Sequence, residues 1–271
     1  MYEVKPEEKL TSLSILVGTG NCNANCGFCA GKPLRKYAPK ADGQFDEALV
    51  RKTLADCFKR GASYLSLSSC GEPTLSPLSV TKVLGLVQEC ANEGMSYSPV
   101  NLYSNGIRIG EDKKFSEKYL PLWKNLGLTT MYITVHDIDE ENNARVYGVK
   151  SYPSLEDVFS RVRDAELSIR TNLVLSRGAV DSYERFIEAI DYLQKIGADN
   201  ISAWPLRDET DGIDLARSPD KSELVRIHDF VERDTSGRLR MIFEEKPTHY
   251  HSEKKLTLFP DGSLASSWCN R

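Results

Sequence analysis

The sequence lacks any run of apolar residues that approaches the length of a bilayer-spanning helix. Its first nine residues, MYEVKPEEK, also lack the apolar centre of a secretory leader. Positive charge is not in excess, because the formal net charge is -4 and the pI is about 5.7. Nucleic-acid-binding domains usually carry a basic face. We therefore expect a cytoplasmic protein whose partners are small molecules or peptides, with no membrane and no nucleic acid among them.

Cysteine is scarce, and it is unevenly placed. The chain has seven cysteines, an odd number, and in a cytoplasmic protein disulfides are not expected. Three of them, Cys22, Cys26 and Cys29, share one short segment with the spacing C-x3-C-x2-C. No second C-x2-C pair or nearby histidine completes the four ligands of a structural zinc site. Three thiolates on one loop can instead bind three irons of a four-iron cluster and leave the fourth iron open.

The other cysteines offer no second cluster. Cys57 and Cys90 fall on the apolar faces of predicted helices, so we assign them to the core. Cys70 directly precedes Gly71, and Cys269 stands alone near the end of the sequence. The chain is therefore expected to hold one metal cluster.

Strand-like and helix-like segments alternate along the chain. Six strands are predicted at residues 13–17, 64–68, 100–103, 131–135, 169–175 and 201–204. Helices are predicted at residues 113–126, 183–195 and 222–233, between Asp46 and Gly61, over residues 80–91, and from Asp139 onward. Such βα units favour a parallel sheet with right-handed crossovers.

The predicted fold is therefore α/β, a partial (β/α)6 TIM-like barrel over residues 1–235. A short C-terminal β-hairpin extension, around the turn Pro260-Asp261-Gly262, occupies residues 236–271. In such barrels the chemistry lies at the carboxyl ends of the strands. The cysteine loop follows the first predicted strand, and polar or reactive residues follow the others, so we expect them to meet on one rim.

Two motifs together resemble the radical S-adenosylmethionine (SAM) superfamily. The first is the cysteine spacing with Phe28 directly before its last cysteine, and the second is Gly71-Glu72-Pro73 after the second predicted strand. The resemblance covers roughly residues 13–233. It implies an enzyme with a [4Fe-4S] cluster on the three cysteines and with SAM bound at the open iron. Reductive cleavage of SAM would give a 5'-deoxyadenosyl radical that abstracts hydrogen from a small-molecule or peptide substrate.

Further segments, YSNG at 103–106 and RTNLVLSRG at 170–178, are similar to the branch that contains the molybdenum-cofactor GTP cyclase. Residues that contact SAM are implied as follows: Phe28, Gly71, Glu72, Pro73, Ser104, Asn105, Thr134, Asn172, Trp204 and Leu206. Asn172 could equally be a strand asparagine bonded to a neighbouring backbone. The cyclase has a second cluster on three C-terminal cysteines, whereas here only Cys269 lies in that region, so GTP cyclase activity is not expected.

Two residues are candidates for direct chemistry. His136 directly follows the fourth predicted strand, where it could contact substrate, move a proton or serve only the structure. Cys269 could donate a hydrogen atom to a substrate radical, as thiols do in some family members, or could be a tail cysteine without a role.

A basic run, Lys32, Arg35, Lys36 and Lys40, follows the cysteine loop. It is either a solvated loop or a surface that attracts a flavodoxin- or ferredoxin-type electron donor or an anionic substrate. Two alternatives to the enzyme stay open at this point. One is a non-catalytic iron–sulfur protein that transfers electrons or senses, and the other is a zinc-bound structural domain.

Overall fold

The computed structural model describes residues 9–208, 212–243 and 254–266. The strands within these residues are β1 Ser12–Leu16, β2 Tyr64–Ser68, β3 Val100–Ser104, β4 Thr130–Val135, β5 Ser168–Leu175, β6 Asn200–Pro205, β7 Leu239–Met241, β8 Lys255–Leu258 and β9 Leu264–Ala265. The α-helices are α1 Glu47–Lys59, α2 Pro77–Asn92, α3 Ile107–Glu111, α4 Lys113–Asn125, α5 Glu140–Tyr147, α6 Leu155–Asp164, α7 Tyr183–Ile196 and α8 Lys221–Glu232.

One sheet contains all of these strands, in the order β7-β6-β5-β4-β3-β2-β1-β8-β9. Every neighbouring pair is parallel except β8 and β9, which form an antiparallel hairpin. The α/β fold, the partial TIM-like barrel and the C-terminal hairpin are thus confirmed. The hairpin also extends the sheet, because β8 pairs in parallel with β1. The domain boundary at residues 235 and 236 stays a prediction.

Local signals determined most helix ends. Asp46 caps α1 by accepting a hydrogen bond from the backbone N–H of Leu49 at 2.9 Å, and Gly61 follows the helix with φ +96°. Two helices were not predicted. The five residues of α3 are too few to show a period, whereas α6 carries a readable one, with Leu155, Phe159 and their neighbours buried at helical spacing.

The two faces of the sheet differ in polarity. Leu65, Leu67 and Leu102 are fully buried between the strands and the surrounding helices, and Cys57 and Cys90 join this core as predicted. Serine, threonine, asparagine and tyrosine side chains alternate with the core residues and line the inner face. The inner face of the barrel is therefore polar below the rim. No helix in the described part of the chain is long and apolar enough to cross a membrane.

Candidate active site

The cysteine loop follows β1 and lies against the loop after β2. The backbone N–H of Glu72 donates to the carbonyl of Asn21 at 2.8 Å, and that of Thr19 donates to the hydroxyl oxygen of Ser76 at 3.1 Å. Gly71 lies so close to the cysteine loop that a Cβ atom would be 2.2 Å from the carbonyl oxygen of Asn21. Only glycine fits there, so Gly71 holds the two loops together.

The three cysteines of the loop are free and half-buried. Burial raises the pKa of the Cys22 thiol, and it raises that of Cys26 to about 11, with added repulsion from Cys29 and Cys22. Bound cationic iron would relieve that repulsion. Within the described residues no three potential ligands converge on a single ion. A four-iron cluster does not need such convergence, because each cysteine binds a different iron, so the donor set fits a cluster.

Asn105 connects the end of β3 to the cysteine loop. Its side-chain Nδ2 donates to Oδ1 of Asn23 at 2.8 Å and lies 3.9 Å from the sulfur of Cys22. Its Oδ1 accepts a hydrogen bond from the backbone N–H of Ile107 at 3.0 Å, which fixes the orientation of the amide. The structure therefore brings a predicted SAM contact directly beside a predicted cluster ligand.

Glu72 is 3% exposed, and its Oε1 accepts two hydrogen bonds while its Oε2 accepts one. Its Oε1 accepts from the hydroxyl of Ser104 at 2.8 Å and from the backbone N–H of Thr74 at 3.0 Å, while Oε2 accepts from the backbone N–H of Asn105 at 2.8 Å. Burial raises the pKa of this carboxyl group, and the hydrogen bonds oppose that rise. A carboxylate has about four lone-pair sites, so Oε2 has room for one more donor. Pro73 begins the short 3-10 helix that follows.

His136 packs beneath the cysteine loop as part of an aromatic group. Its ring lies edge-on to Phe28, with centroids 5.3 Å apart, and to Tyr147 at 4.5 Å. It is 1% exposed, its Nδ1 has no hydrogen-bond partner among the described residues, and burial lowers its pKa to about 3. His136 is thus a neutral imidazole at pH 7. It supports the ring of Phe28, and it does not offer a proton as an imidazolium would.

Two tyrosines that the sequence did not single out complete this support. Tyr147 stacks on Tyr152 with centroids 5.3 Å apart. The hydroxyl of Tyr147 donates to the carbonyl of Thr134 at 2.7 Å, and that of Tyr152 donates to the carbonyl of Asn105 at 2.8 Å. The pair therefore holds the ends of β3 and β4 in place. No motif marked them, because the contact exists only once α5 folds back over the rim.

Arg35 belongs to the site and not to a solvated loop. Its Nε donates to the carbonyl of Cys70 at 3.2 Å, and its buried Nη2 has no partner among the described residues. Its positive charge acts to lower the pKa of Cys22. Lys36 and Lys40, by contrast, are exposed as the basic run suggested. Sequence reasoning missed this division, because all of these cations lie in one polar segment.

The remaining predicted SAM contacts lie further around the sheet. Thr134 and Asn172 are paired across β4 and β5, and Trp204 occupies the same face of β6. The side chains of Thr134 and Asn172 are half-buried and make no hydrogen bond within the described residues. The carbonyl of Leu206 already accepts from the backbone N–H of Asp214 at 2.8 Å. Cys269 lies outside the described residues.

Comparison with known proteins points in one direction. The family model described as Radical SAM superfamily matches residues 16–216. No curated protein sequence matches the chain. Neither the family match nor the structural neighbours single out the branch of the molybdenum-cofactor GTP cyclase, so that finer assignment stays a prediction.

Solved structures show the same fold. SuiB of Streptococcus suis bound to precursor peptide SuiA superposes with a TM-score of 0.67 at 16% identity, covering 96% of this chain and 60% of SuiB. anSMEcpe with bound AdoMet superposes with a TM-score of 0.63 at 15% identity, and the match covers 96% of this chain and 75% of anSMEcpe. A radical SAM methyltransferase from Sphaerobacter thermophilus superposes with a TM-score of 0.58 at 11% identity. The match covers 95% of this chain and 70% of the methyltransferase. The chain spans about three fifths of the length of SuiB.

Proposed function

The chain belongs to the radical SAM superfamily, whose members use a [4Fe-4S] cluster and SAM, and we propose that Cys22, Cys26 and Cys29 hold that cluster here. When bound, the cluster delivers an electron that cleaves SAM to methionine and a 5'-deoxyadenosyl radical, which removes hydrogen from the substrate. The observation that carries the proposal is the hydrogen-bonded junction of three strand-end loops, in which Asn105 lies between Cys22 and Glu72.

The residues around this junction would hold SAM. Glu72 would accept a hydrogen bond from the ammonium group at the open position on Oε2, a charge-assisted contact in a buried site. Thr134 and Asn172 offer side chains without internal partners to the ribose or carboxylate. Phe28, held by His136, would face the nucleoside. Gly71 and Pro73 shape the loop that brings Glu72 to this place.

The substrate is proposed to be a small molecule or a peptide that binds against the polar inner face of the barrel. SuiB was solved with a precursor peptide, which supports the peptide class only through a shared fold. We place the enzyme in the cytoplasm, where thiols stay reduced and an oxygen-sensitive cluster survives.

A flavodoxin- or ferredoxin-type donor is proposed to dock at the exposed Lys36 and Lys40, next to the cysteine loop. Steering between an acidic donor and these cations weakens with salt. The rate of cluster reduction by flavodoxin should therefore fall with ionic strength, and it should fall further in Lys36→Glu. A rate that ignores both changes excludes docking at this surface.

The deciding experiment tests cleavage directly. The protein is reconstituted anaerobically with iron and sulfide, reduced with dithionite and supplied with SAM, and 5'-deoxyadenosine is measured. Wild type should form the product and Cys26→Ala should not. Cys90→Ala is the matched control, because Cys90 is buried in the core of α2 and should leave iron binding intact.

Two outcomes would contradict the proposal. A wild-type protein with an intact cluster that forms no 5'-deoxyadenosine, and whose paramagnetic resonance spectrum does not respond to SAM, would be an electron carrier or sensor. Zinc in place of iron on metal analysis would indicate a structural domain.

A further inference from the structure

The described strands of the barrel carry three basic residues and no acidic residue. These are Arg170 on β5, Arg240 on β7 and Lys255 on β8. Buried or partly buried charges are normally paired, and an arginine usually finds a carboxylate. Arg170 and Arg240 form no ion pair within the described residues, so a ligand of opposite charge could supply one.

Arg170 lies on the inner face of the sheet, where neutral groups hold its guanidinium. Its Nη1 donates to the hydroxyl of Tyr132 at 3.1 Å, and its Nε and Nη2 donate to the hydroxyl oxygen of Ser202 at 3.3 and 3.2 Å. Its guanidinium also lies over the ring of Tyr132 at 5.3 Å. These contacts fix the orientation of the guanidinium without neutralising it, and they leave N–H groups for another acceptor.

Arg240 lies next to the contact between Arg170 and Ser202. It is the register partner of Ser202, the residue that Arg170 contacts, so the two guanidinium groups approach each other across β6. Burial, and next the charge of Arg170, lowers the pKa of Arg240. Arg240 forms no ion pair within the described residues, and the residue is exposed as a whole although its charged group is partly desolvated. Two adjacent guanidinium groups without a carboxylate between them repel each other.

Tyrosine hydroxyls border the same space. Tyr64 on β2 and Tyr132 on β4 meet at 2.7 Å between their hydroxyl oxygens, a contact that passes across β3 on the concave face. Tyr103 packs on Tyr132 with ring centroids 4.4 Å apart. The arginines therefore lie beside phenol groups and apolar ring faces on the inner face of the sheet.

We propose that Arg170 and Arg240 bind an oxyanion group of the substrate, a carboxylate or a phosphate, inside the barrel. The planar guanidinium group of arginine can donate two parallel hydrogen bonds to a carboxylate or a phosphate. Two neighbouring guanidinium groups therefore favour an anion over a neutral ligand. This inference rests on the proposed function, because it names the class of substrate for the same barrel.

The position of the pair sets the orientation of the substrate. Arg170 precedes Asn172 by two residues on β5, but its guanidinium reaches Ser202, which pairs in register with both Asn172 and Arg240. The anionic end of the substrate would therefore lie level with Asn172, beside β6 and β7. The rest of the molecule would extend toward the rim, where SAM is proposed to bind.

The test is an anaerobic calorimetric titration of the reconstituted protein with SAM present. The probes are inorganic phosphate, succinate, and succinamide as the neutral counterpart of succinate. Wild type should bind at least one of the two anions and not succinamide, and binding should weaken with salt. The anion that binds more tightly identifies the oxyanion class.

Variants identify the site. Arg170→Gln and Arg240→Gln should each weaken anion binding by about tenfold, and Arg170→Lys should recover part of the loss. Arg226→Gln is the control, because Arg226 on α8 lies at the surface and pairs with Glu184 and Glu223. If Arg170→Gln fails to fold, the accessible Arg240 still allows the test.

The inference is wrong if neither anion binds, if succinamide binds as tightly, or if both glutamine variants bind like Arg226→Gln. Failure of the proposed function has a different readout, because it is the absence of 5'-deoxyadenosine from wild-type protein. Anion binding without SAM cleavage, or cleavage without anion binding, separates the two.

Discussion

The hydroxyl group of Ser104 donates a hydrogen bond to Oε1 of Glu72 at 2.8 Å. This bond joins the end of β3 to the loop after β2, inside a region from which water is excluded. The next residue, Asn105, donates its backbone N–H to the other carboxylate oxygen at 2.8 Å and places its side-chain amide beside Cys22. A single buried carboxylate thus determines how the second and third strand-end loops face the cysteine loop.

Replacing Glu72 by glutamine tests this role. One carboxylate oxygen becomes an amide NH2 group that faces N–H or O–H donors, so at least one buried donor loses its acceptor. We expect the free energy of unfolding to fall by about 1–3 kcal/mol, and the affinity for SAM to fall with it. Chemical denaturation and SAM titration measure the two effects. Glu93→Gln, at an exposed carboxylate that pairs with Arg51, should unfold like wild type, and equal behaviour of the two variants would contradict the prediction.

Gly71→Ala tests the contact between the first two loops. The added Cβ would lie 2.2 Å from the carbonyl oxygen of Asn21 and 2.3 Å from that of Gly20. Both neighbours are backbone atoms, so the loops must separate. We expect a loss of about 2 kcal/mol of stability and less iron per chain after reconstitution.

The control for this variant is Gly85→Ala in α2, where a Cβ atom would meet nothing within 4 Å. Helix propensity predicts that it stabilises the protein by about 0.5–1 kcal/mol. If Gly71→Ala retained wild-type iron content, the close approach of the loops would not matter for the cluster.

The features that the sequence predicted well are local. The cap at Asp46, the glycine stop at Gly61 and the cysteine spacing each lie within one segment, and a single physical requirement explains each of them. The hairpin at Pro260 was predicted for the same reason. Its addition to the far edge of the sheet was not, because the partner strand β1 lies more than 200 residues away and no local pattern specifies that pairing.

The features that could not be predicted from the sequence depend on how deeply a side chain is buried and on contacts with residues far away along the chain. His136 was placed correctly at a strand end, but its neutrality follows from burial against Phe28 and Tyr147. Arg35 differs from Lys36 only by one position along a short helix, yet that position turns it inward. Composition describes how many charges a segment has, whereas packing decides which of them are desolvated.

Arg35→Gln tests whether this inward cation affects the cluster. A nearby positive charge stabilises the more negative, reduced form of a cluster, so its removal should lower the reduction potential. We expect the reduction equilibrium to shift by about tenfold, which for one electron is about 59 mV. A redox titration followed by paramagnetic resonance measures the shift. Lys40→Gln removes the same charge from an exposed position and should shift the potential less, while Arg35→Lys should keep much of it.

His136 should make the protein sensitive to acid. Its pKa is lowered from 6.5 to about 3 in the folded state by burial. The unfolded chain therefore binds a proton that the folded chain does not, and stability is lost as the pH falls from about 6.5 toward 3. Between pH 7 and pH 5 this one group should lower the free energy of unfolding by about 2 kcal/mol.

In His136→Gln this part of the fall in the free energy of unfolding between pH 7 and pH 5 should disappear, because no group at this position can take up a proton on unfolding. The variant can be less stable than wild type at pH 7 without changing this expectation. Denaturant titrations of wild type and variant at pH 7 and pH 5 give the comparison. Phe159→Leu, in the core of α6, removes no titratable group and should keep the wild-type difference between the two pH values. Parallel losses in wild type and His136→Gln would mean that His136 is protonated in the folded protein, and its ring would then carry a charge beneath Phe28.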